Sequence, residues 1–164
     1  MSTRAQIGFY DDAVLRERPV AIVYQHSDGY PTGNGGVVGK LVNTCVGIIE
    51  QRGGFDPAYL AAQTLFRLIG DYDGGASGLG FGIDNVLHSD TRFFYAVTSE
   101  GVHVFDARDL EDAHLNDLSE KEEMFFTAWV DDKERLTIEA KIKDLNARLQ
   151  NLFLRRASVA RRKP

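Results

Sequence analysis

The chain has a single cysteine, Cys45, among its 164 residues, and this scarcity excludes an internal disulfide framework. Its four histidines, His26, His88, His103 and His114, include no pair at the i, i+4 spacing of a helical metal site. No complete phosphate-binding loop or serine nucleophile elbow occurs in the sequence. We therefore predict no metal and no cofactor, and no motif identifies a catalytic residue.

Long apolar runs and an excess of basic charge are also missing. The apolar stretch 37–49 is interrupted by Lys40 and Asn43 and is too short to span a bilayer. The net charge is −5, and residues 1–154 carry 14 basic against 24 acidic side chains. We expect neither a membrane nor a nucleic acid as partner, because a nucleic-acid-binding domain presents a basic face. Without a signal-peptide pattern at the start, the cytoplasm is the expected compartment.

The remaining composition is that of an ordinary globular protein, with 43% apolar and 26% charged residues. Runs rich in β-branched and aromatic residues predict strands over 3–10 and 20–26, paired antiparallel. A second hairpin is predicted from 92–98 and 102–107, with its turn at 99–101.

Two helices are predicted between these hairpins. The first begins near Val37 with an apolar stripe and ends at the glycine pair 53–54. The second begins at Asp56-Pro57, where aspartate serves as the N-cap and proline occupies the first helical position, and it runs to Gly70. Residues 84–88 are predicted to add a further strand.

These elements predict an α+β fold in which one domain covers residues 1–118. Its antiparallel sheet of four to five strands is packed by the two helices. Residues 119–164 are predicted to form a C-terminal helical arm with a basic tail. Within this arm, helices are expected over 119–130, where Ser119 and Glu122 fit a capping box, and over 134–156.

Heptad spacing in the arm predicts self-association. Every third or fourth residue of its second segment is apolar, a pattern typical of a coiled-coil seam, and packing of the same stripe on the protein's own sheet is the alternative. The residues of this stripe are Ile138, Ile142, Leu145, Leu149 and Leu152. We therefore expect a homo-oligomer.

Polar and turn residues are concentrated in the N-terminal quarter, which makes this quarter the candidate site. A glycine-rich loop leads into the first helix there, and the amides of a helix N-terminus suit a small anion. An arginine offers a planar fork for phosphate or carboxylate, and a tyrosine offers a ring for stacking. Aspartate before glycine equally forms a turn, and the loop equally forms a plain helix start. The predicted ligand-binding residues are Arg4, His26, Asp28, Tyr30, Gly33, Gly35 and Gly36.

The first 36 residues resemble a group of small phage and prophage proteins. These proteins open with Ser-Thr-Arg and carry a His-x-Asp-Gly-Tyr-Pro core, which here is His26 to Pro31. The resemblance implies context rather than an activity, namely a mobile-element gene acting inside a bacterial cell. Small proteins of that kind often counter host defence, and one route is to sequester a nucleotide-derived signal. The leading hypothesis is therefore a non-enzymatic binding protein for a small anionic, nucleotide-like ligand.

Two alternatives remain open. The start Ser2-Thr3-Arg4 resembles that of N-terminal-nucleophile hydrolases of the bile-salt hydrolase type, which begin Cys-Thr-Arg. This resemblance implies an amidohydrolase in which Ser2 is the nucleophile, its own amine is the base and Arg4 binds substrate. The other alternative is a structural or protein-interaction protein that acts through its C-terminal helix.

Overall fold

The computed structural model describes residues 3–11, 15–32, 36–70 and 80–129, all within one unit that ends at Trp129. The predicted helix over 134–156, its apolar stripe and the basic tail lie outside the described residues.

Six strands and two α-helices make up the described part of the chain, and the α+β class is therefore confirmed. In chain order the elements are β1 (Ala5–Phe9), β2 (Ala21–Gln25), α1 (Val37–Arg52), α2 (Pro57–Gly70), β3 (Phe81–Asp84), β4 (Phe93–Val97), β5 (Gly101–Asp106) and β6 (Phe125–Ala128), with short 3-10 helices at Ala107–Asp109 and Asp112–Asn116 between β5 and β6.

The sheet is mixed, which corrects the prediction of an antiparallel sheet of four to five strands. Its six strands have the order β3-β2-β1-β4-β5-β6. Both predicted hairpins are present, but β1 also pairs in parallel with β4, with Ala5 opposite Phe93. The parallel pair arises because the chain leaves the edge strand β3, crosses both β2 and β1, and adds β4 on the far side of β1. That crossing is a long-range event without a local sequence signal.

Both predicted helices are confirmed, together with the residues that begin and end them. Gly53 adopts a left-handed conformation with φ of 74° and donates its N–H to the carbonyl of Ile49 at 2.8 Å, which ends α1. Asp56 accepts the N–H of Tyr59 at 3.0 Å, which satisfies an otherwise unpaired donor in the first turn of α2.

The strand predicted at 84–88 is wrong in position. The structure has β3 at Phe81–Asp84, and the chain bends away immediately afterwards. The side chain of Asp84 accepts the N–H of Asn85 at 2.9 Å, a local bond that competes with continued strand pairing.

The helix predicted over 119–130 is also wrong where the structure describes it. Asp117 accepts the backbone N–H of Ser119 at 3.0 Å and also its hydroxyl, so that this hydroxyl is unavailable as a helix cap. The chain instead joins the sheet, because the N–H of Met124 bonds the carbonyl of Val104 at 2.7 Å and β6 follows. The aromatic Phe125 and Phe126 fit a pleated strand well.

The sheet separates two apolar clusters. The helix face is the side against which α1 and α2 pack, and its cluster includes Ile7, Val23, Leu41, Leu60 and Tyr95. The loop face is the opposite side, where Ile22, Phe94, Phe105, Leu115 and Leu118 are covered by the segment between β5 and β6. Because side chains alternate along a strand, neighbouring residues of β2, β4 and β5 contribute to different clusters.

Asp106 joins the ends of β4 and β5 through two arginines. Its carboxylate accepts two bonds of 2.6 Å from Arg92, and bonds of 2.7 and 3.0 Å from Arg108. The hydrogen bond from Arg108 is the largest influence, and with Arg92 it holds the pKa of Asp106 well below its usual range.

We expect Gly101→Ala to lower the free energy of unfolding by about 2 kcal/mol or more. A Cβ atom there would lie 2.2 Å from the backbone oxygen of Thr127, so that β5 and β6 would have to separate. Gly82→Ala is the matched control, since a Cβ atom on that strand glycine meets no atom within 4 Å. Urea unfolding of both variants checks this, and equal stabilities would contradict it.

We expect Asp106→Asn to lower the free energy of unfolding by about 1 kcal/mol at neutral pH. The effect is small because the ion pairs of Asp106 with Arg92 and Arg108 are partly exposed to solvent. An aspartate whose pKa is depressed on folding stabilises the protein above its unfolded pKa, near 4. This stabilisation is lost as the pH falls through the lower folded pKa. The difference between variant and parent should therefore be constant above about pH 5 and shrink in acid. Urea unfolding as a function of pH measures it, and a difference that grows in acid would refute the assignment.

Candidate functional site

The candidate site lies on the loop face, at the point where β1 begins and β2 ends. β1 and β2 pair antiparallel, with Gln6 opposite Tyr24. When this register is continued by two residues on each strand, Arg4 lies opposite His26. Alternation places Arg4, Tyr24 and His26 on one face, opposite to the side from which Ala5 packs against the helices.

The segment that follows β3 completes a group that we name the polar cluster. It crosses the loop face on its way to β4 and brings a histidine and an aspartate to the strand residues, and a second aspartate is contributed by the last residue of β3 itself. The members of the polar cluster are Arg4, Tyr24, His26, Asp84, His88 and Asp90.

Tyr24 is the centre of the polar cluster. Its hydroxyl lies 3.3 Å from Nδ1 of His26, and its ring centroid lies 5.1 Å from that of His88. Arg4 pairs with Asp90 through Nη1, and His88 contacts Asp84 through Nε2. Each cationic or imidazole side chain of the cluster is therefore held in place by a neighbour.

The Tyr24 hydroxyl stays protonated at neutral pH. Desolvation by burial is the largest cause that raises its pKa, and the carboxylates of Asp90 and Asp84 raise it further, whereas Arg4 opposes the change. A protonated phenol can donate a hydrogen bond to an anion, which a phenolate cannot.

The buried Gln6 positions the segment that carries His88 and Asp90. Its side-chain amide donates to the carbonyl of Val86 at 2.8 Å, and its side-chain oxygen accepts the N–H of His88 at 2.8 Å. The same oxygen accepts the hydroxyl of Thr91 at 3.0 Å. One fully buried side chain therefore fixes both ends of the segment, and replacing it would leave several polar groups unpaired.

Of the predicted site residues that the structure describes, it brings together two, Arg4 and His26. Tyr30 lies on the helix side, with its ring centroid 6.4 Å from that of Phe93, and half of its surface is exposed. Asp28 is exposed and has a positive φ of 57°, which supports its alternative role as a turn former.

Of the predicted glycine loop, the structure describes Gly36, which directly precedes α1. Gly33 and Gly35 lie outside the described residues. Gly36 is buried, and a Cβ atom there would lie 2.8 Å from the carbonyl oxygen of Pro31. The first amides of α1, those of Val37 and Val38, donate to backbone carbonyls of the preceding loop at 2.8 and 3.2 Å. Two of the donors predicted to hold an anion are therefore already bonded within the protein.

Sequence reasoning missed Tyr24, His88 and the two aspartates. The alternation Tyr24-x-His26 could have indicated that both side chains share a strand face. His88 and Asp90 have no such signal, because they reach the site through the crossing from β3 to β4, and Asp84 reaches it through the pairing of β3 with β2.

The described residues offer neither a metal site nor a reactive thiol. Across 3–11, 15–32, 36–70 and 80–129, no group of three histidine, cysteine, aspartate or glutamate side chains is arranged to hold a metal ion. Cys45 is buried, and desolvation raises the pKa of its thiol to about 12, as expected for an inert core thiol.

Comparison with protein-family models, with curated proteins and with solved structures gives no match to this chain. In the part of the chain that the structure describes, neither helix has the length and apolar character needed to cross a bilayer.

We expect Gln6→Leu to release the segment over 86–91 and to destabilise the protein by about 2 kcal/mol. The backbone N–H of His88 loses its partner and should lose its protection from hydrogen exchange, whereas amides within α1 should keep theirs. Gln51→Leu, an exposed glutamine on α1, is the matched control. Unchanged exchange at His88 in the Gln6 variant would show that the segment is held by other contacts.

Proposed function

We propose that this protein binds a small phosphorylated, nucleotide-like ligand on the polar cluster. The observation that carries the proposal is the convergence of Arg4, His26 and His88 around one aromatic side chain, Tyr24. Guanidinium and imidazole N–H groups suit phosphate oxygens, and the rings of Tyr24 and His88 offer a surface for a base.

Access from solvent supports a binding role. The side chains of Arg4 and Asp90 are 33% and 49% exposed, so that their ion pair is open to competition by a second anion. Asp90 orients the guanidinium in the free protein, and a phosphate with two negative charges is a stronger partner for it than one carboxylate. His88, whose side chain is 40% exposed, lies beside the same ring.

The biological setting remains a proposal from the sequence resemblance. In that setting the protein is an accessory protein of a phage or prophage, acts in the cytoplasm of a bacterial cell and sequesters a nucleotide-derived defence signal. The same proposal includes a C-terminal helical arm that mediates self-association. The heptad stripe over 138–152 supports it, and this stripe lies outside the described residues.

The hydrolase alternative depends on residues that the structure does not describe. It requires removal of Met1, which would free the amine of Ser2. The matching Arg4 is engaged with Asp90 on the loop face. We therefore favour binding over catalysis at this end of the chain.

We expect AMP to bind at least tenfold more tightly than adenosine in a calorimetric titration, because the phosphate contacts supply the difference. Arg4→Gln should weaken AMP binding by about tenfold and leave adenosine binding unchanged, whereas His88→Gln should weaken the binding of both because it also removes a ring that contacts the base. Arg52→Gln, which breaks an exposed pair with Asp56 on the helices, is the matched control. Equal binding of AMP and adenosine, or AMP binding that is unaffected by both variants, would overturn the proposal.

A further inference from the structure

A cavity of about 350 Å³ opens on the loop face beside β5, away from the polar cluster. Leu15, Phe105 and Leu118 form its apolar floor, and each of them is nearly fully buried. Arg16 and Lys121 contribute cationic groups to its lining. An apolar floor with a few charged groups is the usual composition of a small-molecule site, and this volume is at the small end of the range for such sites.

The two cations of the cavity have no direct ion pair. Of the seven arginines in the described ranges, five pair with an aspartate within 4 Å. Within the same ranges, neither Arg16 nor Lys121 has an ion-pair partner at that distance, although Arg16 is near enough to Asp117 to help lower the pKa of that carboxyl. The lining also includes the carboxylate of Glu123, which His103 engages, so that the two cations are left to favour an anion there.

His103 forms a rigid side of the cavity. Its Nδ1 lies 2.8 Å from a carboxylate oxygen of Glu123, and its ring stacks on Phe126 with centroids 4.5 Å apart. Its Nε2 is buried and has no hydrogen-bond partner among the described residues. A buried polar atom without a partner is rare in proteins and is typical of sites that serve a purpose other than stability.

The backbone conformation of Leu15 also favours a ligand site at this cavity. It has a positive φ of 56°, a conformation that is strained for a bulky residue. Its carbonyl accepts the N–H of Leu118 at 2.9 Å, and its side chain is 4% exposed, so that packing holds the strained backbone in place. Such strain is found preferentially at ligand sites.

We propose that this cavity binds a small organic carboxylate with an apolar body. The carboxylate would lie against Arg16 and Lys121, and the apolar body would cover Phe105 and Leu118. This site is independent of the polar cluster, because it uses a different set of side chains and a different part of the sheet.

Octanoate is the probe, with octanamide as its uncharged counterpart and acetate as its counterpart without the apolar body. We expect saturable octanoate binding by calorimetry, at least tenfold tighter than that of octanamide or acetate. In a two-dimensional amide NMR titration, the largest shifts should fall on residues 118–123. AMP should not displace octanoate, which separates this test from that of the proposed function.

The double variant Arg16→Gln, Lys121→Gln should weaken octanoate binding at least tenfold. The double variant Lys40→Gln, Arg67→Gln removes the same charges from the helices and should leave binding unchanged. Ser119→Trp, at an exposed position of the cavity wall, should block binding. Circular dichroism confirms that each variant folds.

Three results would overturn the proposal: no saturable octanoate binding to the parent protein, equal binding of octanoate and octanamide, or equal weakening by the two double variants. The last result would show a general charge effect rather than a site.

Discussion

The buried carboxamide of Gln6 is the contact on which the organisation of the loop face depends. The chain leaves β3 at one edge of the sheet and must cross both β2 and β1 before it can pair with the far side of β1 as β4. Gln6 sits at that crossing and holds Val86, His88 and Thr91 by hydrogen bonds. A polar side chain in this position is stable only because every partner is present, so that it favours one path of the chain over others.

The elements encoded by neighbouring residues could be read from the sequence. The glycine at 53, the Asp56-Pro57 pair and the short turn at 99–101 each specify a local geometry. The parallel pairing of β1 with β4 could not be read, since no local pattern links Ala5 to Phe93. The sequence analysis predicted a helix where β6 lies, because Ser119 fits a capping box. In the structure, Ser119 instead donates its backbone N–H and its hydroxyl to Asp117.

The residues of the candidate site show the same difference between local features, which the sequence predicts, and long-range contacts, which it does not. Arg4 and His26 come together through strand alternation and the antiparallel register of two strands that are consecutive in sequence, both of which are comparatively local properties. Tyr30 and Gly36 separate from them because the chain turns at Asp28 and passes to the helix side. The side chains that give the site its chemistry, His88 with Asp84 and Asp90, arrive from a distant segment. A pattern search within the N-terminal quarter could not include them.

The central position of β1 also has a consequence for synthesis. Its neighbours are β2, made soon after it, and β4, made only after both helices. Pairing between segments so far apart in sequence is slow to form. One edge of β1, with the apolar Ile7 and Phe9, therefore remains without its native partner for most of translation, and an exposed strand edge of this kind is prone to wrong pairing. The sheet of this protein therefore cannot be completed until β4 has emerged.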